Sequence, residues 1–468
     1  MSDDEADPEL LELLRQTLLG PPAQRTDEVS RNTGVLRDAE YIYNNSIDVS
    51  VDMYGTKAAA ASIYASMQER HYSTDAWSEH ELHPKSQDGF SELAIVNFIF
   101  TMDLLNFSFW SELSEAQRYQ VEYRGKRWTG YNSLVACLRR ALDEGVPITT
   151  PRYWRSEDAS YEVLRRVFRS ATDEQIPLLD ERVAILKDVA EVLHKSFGDP
   201  VEDNFGANDE QVAMIIDGKA NGILVPEEAA PDAVGGGQQT VADVKNIALP
   251  PDDEPEQTTG VAPDQEEGRP SQDADTQPSI APEAEPPLPQ LQPDYSIARL
   301  IEQADRSAGK LVNLLAKHFP AFCDETRFDG KRVRLLKRAQ ILVADLWAAF
   351  GGTGNGEFND INHLTMFADY RVPQMLRSIG VISYSPPLDY RISTLQPIFS
   401  GQSFEVQLRG CSIWAVELIR REILRAHPDA QQVNAVLIDF FLYDLAKEKE
   451  KVQGGLATPH HRTRSIWY

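Results

Sequence analysis

Cysteine is scarce in this sequence: the 468 residues contain only Cys137, Cys323 and Cys411, which are far apart and lack CxxC spacing. This pattern is typical of reduced thiols in an intracellular protein, and it argues against a disulfide framework or a cysteine-based zinc site. The sequence also lacks an apolar run of the roughly 18 residues that a membrane helix needs. The first thirty residues are acidic, without the basic start and apolar stretch of a secretory signal. We therefore expect a soluble, cytoplasmic protein with no metal site and no membrane partner.

Aromatic residues are absent from one long stretch of the chain. Between Phe205 and Tyr295 there is no Phe, Tyr or Trp, and Pro, Gly, Gln, Asp and Glu dominate. Such a segment cannot bury enough apolar surface to offset the entropy that is lost when a chain becomes ordered. We predict that residues 206–293 form a disordered, acidic, Pro-rich insertion, which is either a solvated linker or an interaction tail.

Positive charge is in short supply, and the deficit is unevenly spread. The segment 201–294 holds 21 Asp and Glu against 3 Lys and Arg, which leaves −9 of the net charge of −27 for the other 374 residues. Non-specific binding to nucleic acid needs Lys and Arg to neutralise phosphate, so we expect no direct nucleic-acid partner. A small phosphorylated substrate held by a few local cations stays compatible with this composition.

Outside the acidic stretch, apolar residues recur at helical spacing. Helical patterns follow Gly55 and occupy residues 90–110, 133–145, 176–198, 295–319, 335–352, 369–380, 411–426 and 433–450. Residues 119–131 alternate around a glycine, as in a hairpin. We predict a mainly α fold with one or two short β-hairpins, in which residues 39–205 and 294–468 form a single helical domain after an N-terminal extension, residues 1–38. Two independently folded halves are the alternative.

Polar residues within strongly apolar runs are the first indication of a functional site. Asp103 and Asn106 lie in DLLNFSFW, Asp369 follows the apolar MFA, and Asp439 lies in LIDFFLYDLA. Burying a carboxylate costs several kcal/mol unless it is paired or hydrogen-bonded, so these runs suggest a polar pocket within a core. Plainer interpretations stay open, because NFSFW is also typical of a core, Asp369 of a helix N-cap, and Asp439 of a salt bridge.

Two basic segments add to this pattern without deciding it. Residues 331–338 read KRVRLLKR beside a predicted helix, and the sequence closes on HHRTRSIWY. A solvated face and an exposed tail would explain them equally well. The sequence has no P-loop, GxGxxG, GxSxG or HExxH motif. These residues alone indicate an α-rich protein with a polar pocket.

At these same stretches the sequence resembles the queuosine salvage protein family. The matching blocks, in the family's order, include DLLNFSFWSE, YRGKRWTGYNSL, KRVRLLKRAQILVADLW, LTMFADYR, VQLRGCSIWAVELIR, IDFFLYDLA and HRTRSIWY. The resemblance covers residues 39–200 and 294–468, and implies a mainly helical fold similar to helical DNA glycosylases. It also implies hydrolysis of the N-glycosidic bond of queuosine 5'-phosphate, which releases queuine for insertion into tRNA. No metal or organic cofactor is implied.

The resemblance, together with the chemistry of N-glycoside cleavage, suggests roles for single residues. We predict that Asp369 stabilises the oxocarbenium-like charge and that Lys337 is the second polar group, which either steers this carboxylate or neutralises the leaving base. The predicted substrate-binding residues are Arg334, Arg338, Arg371, His461 and Arg462 for the phosphate, Phe107 and Trp110 for stacking on the base, Asp103 and Asn106 for its edge or its aminomethyl cation, Asp439 and Tyr443 for the cyclopentenediol, and Tyr370.

Two other functions stay open at this point. One is a nucleic-acid glycosylase of similar helical fold, and the net charge of −9 outside the acidic stretch counts against it. The other is a non-catalytic protein that binds queuine or its nucleotide, which the sequence does not distinguish from an enzyme.

Overall fold

Helices dominate the structure, as the apolar spacing predicts. A computed structural model of the chain describes residues 29–198, 292–453 and 458–468. Its α-helices are α1 Val35–Asn44, α2 Met53–Glu69, α3 Asp75–Glu79, α4 Glu92–Leu104, α5 Tyr131–Asp143, α6 Pro151–Arg155, α7 Tyr161–Val167, α8 Leu179–Phe197, α9 Ser296–Glu302, α10 Ala308–His318, α11 Lys337–Ala349, α12 Arg371–Ser378, α13 Pro386–Ser393, α14 Ser403–Ala426 and α15 Ala435–Gln453. The short strands are β1 Val49–Val51, β2 Val121–Tyr123, β3 Lys126–Trp128, β4 Glu325–Phe328, β5 Lys331–Arg334 and β6 Ile382–Tyr384. The predicted mainly α fold is confirmed.

Two β-hairpins interrupt the helices. The predicted one joins β2 to β3 in antiparallel register, and its turn residues Arg124 and Gly125 both have positive φ, 50° and 71°. Two positive φ values are what a two-residue turn between twisted strands requires. The second hairpin joins β4 to β5 through Asp329 and Gly330. It uses the basic residues 331–334 as a strand, so the helix expected from residue 335 begins at Lys337.

Long-range pairing and a helix break depart from the local pattern. Strands β1 and β6 pair antiparallel although more than three hundred residues separate them in sequence. The stretch 295–319, expected as one helix, is divided into α9 and α10, and Asp305 and Arg306 in the break have φ of 51° and 53°. Both features depend on partners that are distant in sequence, which apolar periodicity does not reveal.

The long helix α14 runs through the core and packs against α1, α2, β1, α12 and α15. Gly410 on α14 allows the close approach of α1, because a Cβ at this position would lie 2.6 Å from Ile42. Almost all of α14 between residues 405 and 417 is buried. This helix therefore supports the elements that carry the site described below.

Both predicted segments of the helical domain contribute to one compact unit. Asp294 accepts a hydrogen bond from the backbone N–H of Arg152 at 2.8 Å, and α4 packs against α9 and α11. The predicted boundary at residue 38 falls inside α1, where Val35 and Asp38 are buried. Residues 1–28 of the predicted extension and residues 206–291 of the predicted insertion lie outside the described residues. Within the described parts of the chain, none of the helices has the length and apolar character needed to cross a membrane.

Candidate active site

A cavity of about 720 Å³ lies among α5, α11, α12 and α15 and the loop that follows α4. This volume is typical of sites that enclose a small organic ligand. The predicted site residues that line it are Asn106, Phe107, Lys337, Asp369, Tyr370, Arg371, Asp439 and Tyr443. Segments that are far apart in sequence thus bring eight of the predicted side chains to one place.

Lys337 is the first residue of α11 and is buried. Its backbone N–H donates to Asp324 Oδ2 at 3.2 Å, and its Nζ donates to the carbonyl oxygen of Asn106 at 3.5 Å. Burial lowers the pKa of Lys337, and the nearby carboxylates of Asp369 and Asp103 oppose that effect. These carboxylates therefore stabilise the ammonium group of Lys337 in the cavity wall.

Asp369 lies in the loop before α12 and divides its two oxygens between two tasks. Oδ1 accepts hydrogen bonds from the backbone N–H groups of Arg371 at 2.8 Å and Val372 at 3.0 Å. These bonds cap α12 and fix the carboxylate. Oδ2 accepts no hydrogen bond from the described residues, so it stays available to a ligand. Asp369 can therefore be a helix cap and a catalytic group at once.

A buried ion pair positions both Lys337 and Asp369. On α14, Arg409 donates from Nη1 to Asp324 Oδ1 at 3.0 Å and from Nε to the carbonyl oxygen of Ala368 at 2.8 Å. Asp324 in turn accepts from the Lys337 backbone at the start of α11. One arginine thus connects the loop of Asp369 with the helix end of Lys337. Removing one partner of such a buried pair is strongly destabilising.

Asp439 on α15 holds the same loop from the other side. Its Oδ1 accepts from the backbone N–H of Phe367 at 3.0 Å. Burial raises the pKa of Asp439, and the neighbouring charge of Asp369 adds to that rise. Tyr443 follows one turn later on α15 and also lines the cavity. This wall therefore offers a carboxyl group and a phenol close to Asp369.

Cations gather at another part of the cavity lining, around Glu450. Arg371 forms an ion pair with Glu450, and Lys447 Nζ lies 3.3 Å from Glu450 Oε2. Arg118 lines the same region and donates to Glu115 at 3.2 Å. Burial lowers the pKa of Lys447, and the positive charge of Arg371 lowers it further. This region thus contains three cations, Arg371, Lys447 and Arg118, and two carboxylates, Glu450 and Glu115. The surplus of positive charge suits an anionic group.

Aromatic rings form two further walls. The guanidinium groups of Arg182 and Arg338 lie 4.2 and 4.9 Å from the ring centre of Phe107. The rings of Trp77 and His83, which also line the cavity, have their centres 4.1 Å apart. Burial lowers the pKa of His83 to about 3, so this imidazole is neutral at pH 7. These flat, uncharged faces suit a planar ring system.

Comparison with known proteins identifies the family of this chain. The model of the queuosine salvage protein family matches residues 82–217 and 289–468. This chain belongs to the queuosine salvage protein family. A relative from Schizosaccharomyces pombe is 34% identical over 448 residues, which are 93% of this chain and 99% of the relative. Relatives from Bos taurus and Sphaerobacter thermophilus are 31% and 30% identical, and the alignments cover 92% and 88% of this chain and 97% and 91% of the relatives. All three are named queuosine 5'-phosphate N-glycosylase/hydrolase.

Not every residue predicted for this member of the queuosine salvage protein family lies in the cavity lining. Those outside it are Asp103, Trp110, Arg334, Arg338, His461 and Arg462. Arg338 is buried and donates to the backbone carbonyls of Leu104 and Ala321. Arg334 donates to Glu325 at 2.9 Å and to Asn313 at 2.8 Å. These partners engage both guanidinium groups in the fold, so their positions do not fit the predicted contact with a phosphate.

The aromatic and C-terminal residues outside the lining stabilise one another. Trp110 donates from its indole nitrogen to the carbonyl oxygen of Thr463 at 2.8 Å, and the guanidinium of Arg462 lies 5.7 Å from its ring centre. His461 is buried against the Tyr468 hydroxyl at 3.2 Å. The structure thus gives these residues a packing role, which does not fit base stacking by Trp110 or phosphate binding by His461 and Arg462.

Sequence reasoning also missed residues that line the cavity. Lys447 and Arg118 belong to the cationic region, and Asp345 lies on α11 with Lys337 and Ile341. The three α11 residues are four positions apart, so they share one helix face. That spacing was a readable signal for Asp345, whereas nothing local marks Arg118. Among the described residues, no three His, Cys, Asp or Glu side chains form a group that could hold a metal ion.

Proposed function

We propose that this protein hydrolyses the N-glycosidic bond of queuosine 5'-phosphate and releases queuine. The observation that carries the proposal is the convergence of Lys337, Asp369 and a cationic region in one cavity of about 720 Å³. Relatives that align with nearly the whole chain are named for this activity. The arrangement provides a group for the 5'-phosphate and for each of the two charges that develop in the transition state.

Asp369 is proposed as the catalytic carboxylate. Cleavage develops positive charge on the sugar carbon that bears the base. The backbone hydrogen bonds to Oδ1 hold the carboxylate still while Oδ2 stays open to a ligand. A unit charge pair at about 4 Å is worth roughly 4 kcal/mol at an effective dielectric near 20. That energy corresponds to about three decades of rate.

Lys337 is proposed as the group that stabilises the departing base. A 7-deazapurine lacks the ring nitrogen N7 that purine glycosylases protonate, so its developing negative charge needs another partner. The buried ammonium of Lys337 lies among carboxylates that favour its charged form. A fixed cation in a site of low dielectric acts most strongly where charge develops.

The cationic region is proposed to bind the 5'-phosphate. Arg371 provides a planar guanidinium suited to phosphate oxygens, and Lys447 and Arg118 add charge beside it. Glu450 holds Arg371 and Lys447 in place before a ligand arrives. Binding energy gained at the phosphate can then support the chemical step at the sugar.

The other lining residues are proposed to bind the remaining parts of the substrate. Phe107 in the cavity wall and Asn106 beside it are placed to contact the base. Asp439 and Tyr443 provide a carboxyl group and a hydroxyl for the cyclopentenediol, and Tyr370 adds an aromatic face next to Asp369. These assignments depend on the placement of the sugar at Asp369.

We further propose that the substrate is a free nucleotide in the cytoplasm and that nucleic acid is not bound directly. The three cysteines are free thiols, which suits a reducing compartment. The acidic balance of the chain disfavours a phosphate backbone. Tight duplex binding that weakens steeply with salt would instead support the glycosylase alternative.

The direct test is a turnover assay. Purified protein, dialysed against a chelator, is incubated with queuosine 5'-phosphate, and free queuine is followed by mass spectrometry. We expect release of queuine at a rate unchanged by the chelator. Stoichiometric binding of the nucleotide without release would show a binding protein, and loss of turnover after dialysis would show that a metal is needed.

A further inference from the structure

Asp103 and Asp345 form a second pair of carboxyl groups beside the cavity. Asp345 lies two turns along α11 from Lys337, a rise of about 12 Å, and lines the cavity. Asp103, at the end of α4, is buried outside the lining. The helices that carry them, α4 and α11, pack against each other, and each carboxyl group shifts the pKa of the other. Asp345 has no part in the proposed catalytic steps, and Asp103 enters them only through its charge near Lys337.

The contact between these two groups is incomplete unless a proton is present. Asp103 Oδ1 accepts from the Asn106 side-chain amide at 3.3 Å. Its Oδ2 is buried and has no hydrogen-bond donor among the described residues. Two ionised carboxylates offer acceptors only, whereas a protonated carboxyl group supplies one O–H donor. One proton on the pair would therefore satisfy Asp103 Oδ2.

Burial of both carboxyl groups favours one proton on the pair. Burial raises the pKa of Asp103 to about 7, and Asn106 and Lys337 oppose that rise. Burial and the charge of Asp103 together raise the pKa of Asp345 well above its usual range. At neutral pH the pair therefore holds one proton, and a proton on Asp345 lets its O–H donate to Asp103 Oδ2. Asp345 also interacts with the side chain of Trp77, and its other oxygen keeps a lone pair as a neutral acceptor.

We propose that Asp345 is a specificity-determining residue that accepts a hydrogen bond from the N–H edge of a guanine-type base, with its orientation fixed by Asp103. The inference rests on the proposed function, because it places the sugar near Asp369 and Lys337. The length of α11 between Lys337 and Asp345 then leaves room for a bicyclic base. A neutral acceptor reads an N–H without adding another charge beside Asp369 and Asp439. A base with an acceptor nitrogen at that edge would leave Asp345 unpaired.

The test compares binding of free 7-deazaguanine, which presents N–H donors, with 7-deazaadenine, which presents a ring acceptor at the same edge. Leaving a buried acceptor unpaired costs enough for about a 10- to 100-fold preference in Kd for 7-deazaguanine. In Asp345→Asn the amide nitrogen can donate to Asp103 while the amide oxygen faces the ligand. We expect this variant to keep the preference within about threefold, and Asp345→Ala to lose most of it.

Controls keep the test decisive. Asp345→Leu fills the volume that Asp345→Ala leaves empty, so one of these two is expected to fold, and melting temperatures identify it. An unchanged preference in either folded variant would overturn the contact with the base. Loss of the preference in Asp345→Asn as complete as in Asp345→Ala would overturn the neutral acceptor. A wild-type protein that prefers 7-deazaguanine but releases no queuine would support this inference while the proposed function fails.

Discussion

Aspartates line two parts of the cavity, near Lys337 and two helical turns away, and their surroundings differ. Near Lys337, Asp369 is half-buried and receives backbone N–H bonds on one oxygen. Farther along α11, Asp345 is buried against Asp103, a second carboxyl group. The backbone donors fix Asp369 close to Lys337, whereas the carboxyl neighbour of buried Asp345 favours a proton on that pair. The same residue type can therefore supply charge in one place and a neutral acceptor in the other.

The largest expected effect comes from removing the charge of Asp369. Asp369→Asn keeps the size and reach of the side chain but loses the charge that opposes the oxocarbenium. We expect single-turnover rates with queuosine 5'-phosphate to fall by about two decades or more while binding is largely retained. The same Asp→Asn change at residue 345 is expected to be tolerated, which makes the pair a direct test of the comparison.

The capping role of Asp369 supplies the control for this experiment. Asn caps a helix about as well as Asp, so Asp369→Asn should leave the melting temperature nearly unchanged, whereas Asp369→Ala should cost roughly 0.5–2 kcal/mol of stability. Turnover like that of the wild type in Asp369→Asn would show that the residue is a cap alone.

Lys337→Met is expected to have the next largest effect. Removing the cation that stabilises the departing base should lower the single-turnover rate by about one to two decades. The native pKa of Lys337 is lowered, so the unfolded chain holds more protons than the native one between that value and 10.5. Wild-type stability should therefore rise with pH across this window, and the variant should lose that contribution. Chemical denaturation at several pH values measures it, and an unchanged slope would contradict a buried, titrating amine.

Much of the fold could be predicted because its signals are local. Apolar spacing indicated the helices, and a glycine between alternating residues indicated the β2–β3 hairpin. The pairing of β1 with β6 depends on contact between distant segments, so no local pattern marks it. The strand formed by basic residues 331–334 was not predicted, and the helix predicted from residue 335 begins after it, at Lys337.

The site was predictable where polar residues interrupt apolar runs, as at Asp369 and Asp439. Prediction failed where charge alone was the guide. Arg338 and Arg371 look alike in sequence, yet one donates to buried carbonyls and the other lines the cavity beside Glu450. A sequence does not show which buried backbone carbonyl groups need a hydrogen-bond donor from a side chain. Which arginine meets a ligand therefore depends on packing.

The cationic region around Glu450 differs from the two aspartate sites because its surplus charge is positive. We expect Arg371→Gln and Lys447→Gln each to lower the specificity constant for queuosine 5'-phosphate by about tenfold, the cost of roughly 1.4 kcal/mol. The constant for the nucleoside should change little, because it carries no phosphate. Steady-state kinetics on both substrates measures the difference.

Arg334→Gln is the matched control, since sequence alone assigned that residue to the phosphate. Its guanidinium binds Glu325 and Asn313 outside the cavity, so the change should lower the melting temperature and leave the ratio of the two constants intact. A ratio altered by Arg334→Gln but not by Arg371→Gln would reverse our assignment of the phosphate site.

The smallest effect is expected from deleting residues 210–290 and joining the ends with a short Gly/Ser linker. The family match skips residues 218–288, so the family's own architecture does not require them. Gly198 and Pro293 line the same small surface pocket, and Arg299 donates to the carbonyl oxygen of Phe197 at 3.0 Å, so a short linker can close the gap. Neither Asp369 nor Asp345 belongs to this region of the chain.

We expect turnover and the base preference to stay unchanged, and stability to change by less than about 0.5 kcal/mol, as for a surface alteration. Thermal unfolding and the queuine assay measure these quantities. A loss of several kcal/mol would mean that the segment folds into the helical domain, and a changed base preference at full stability would mean that it acts on the cavity.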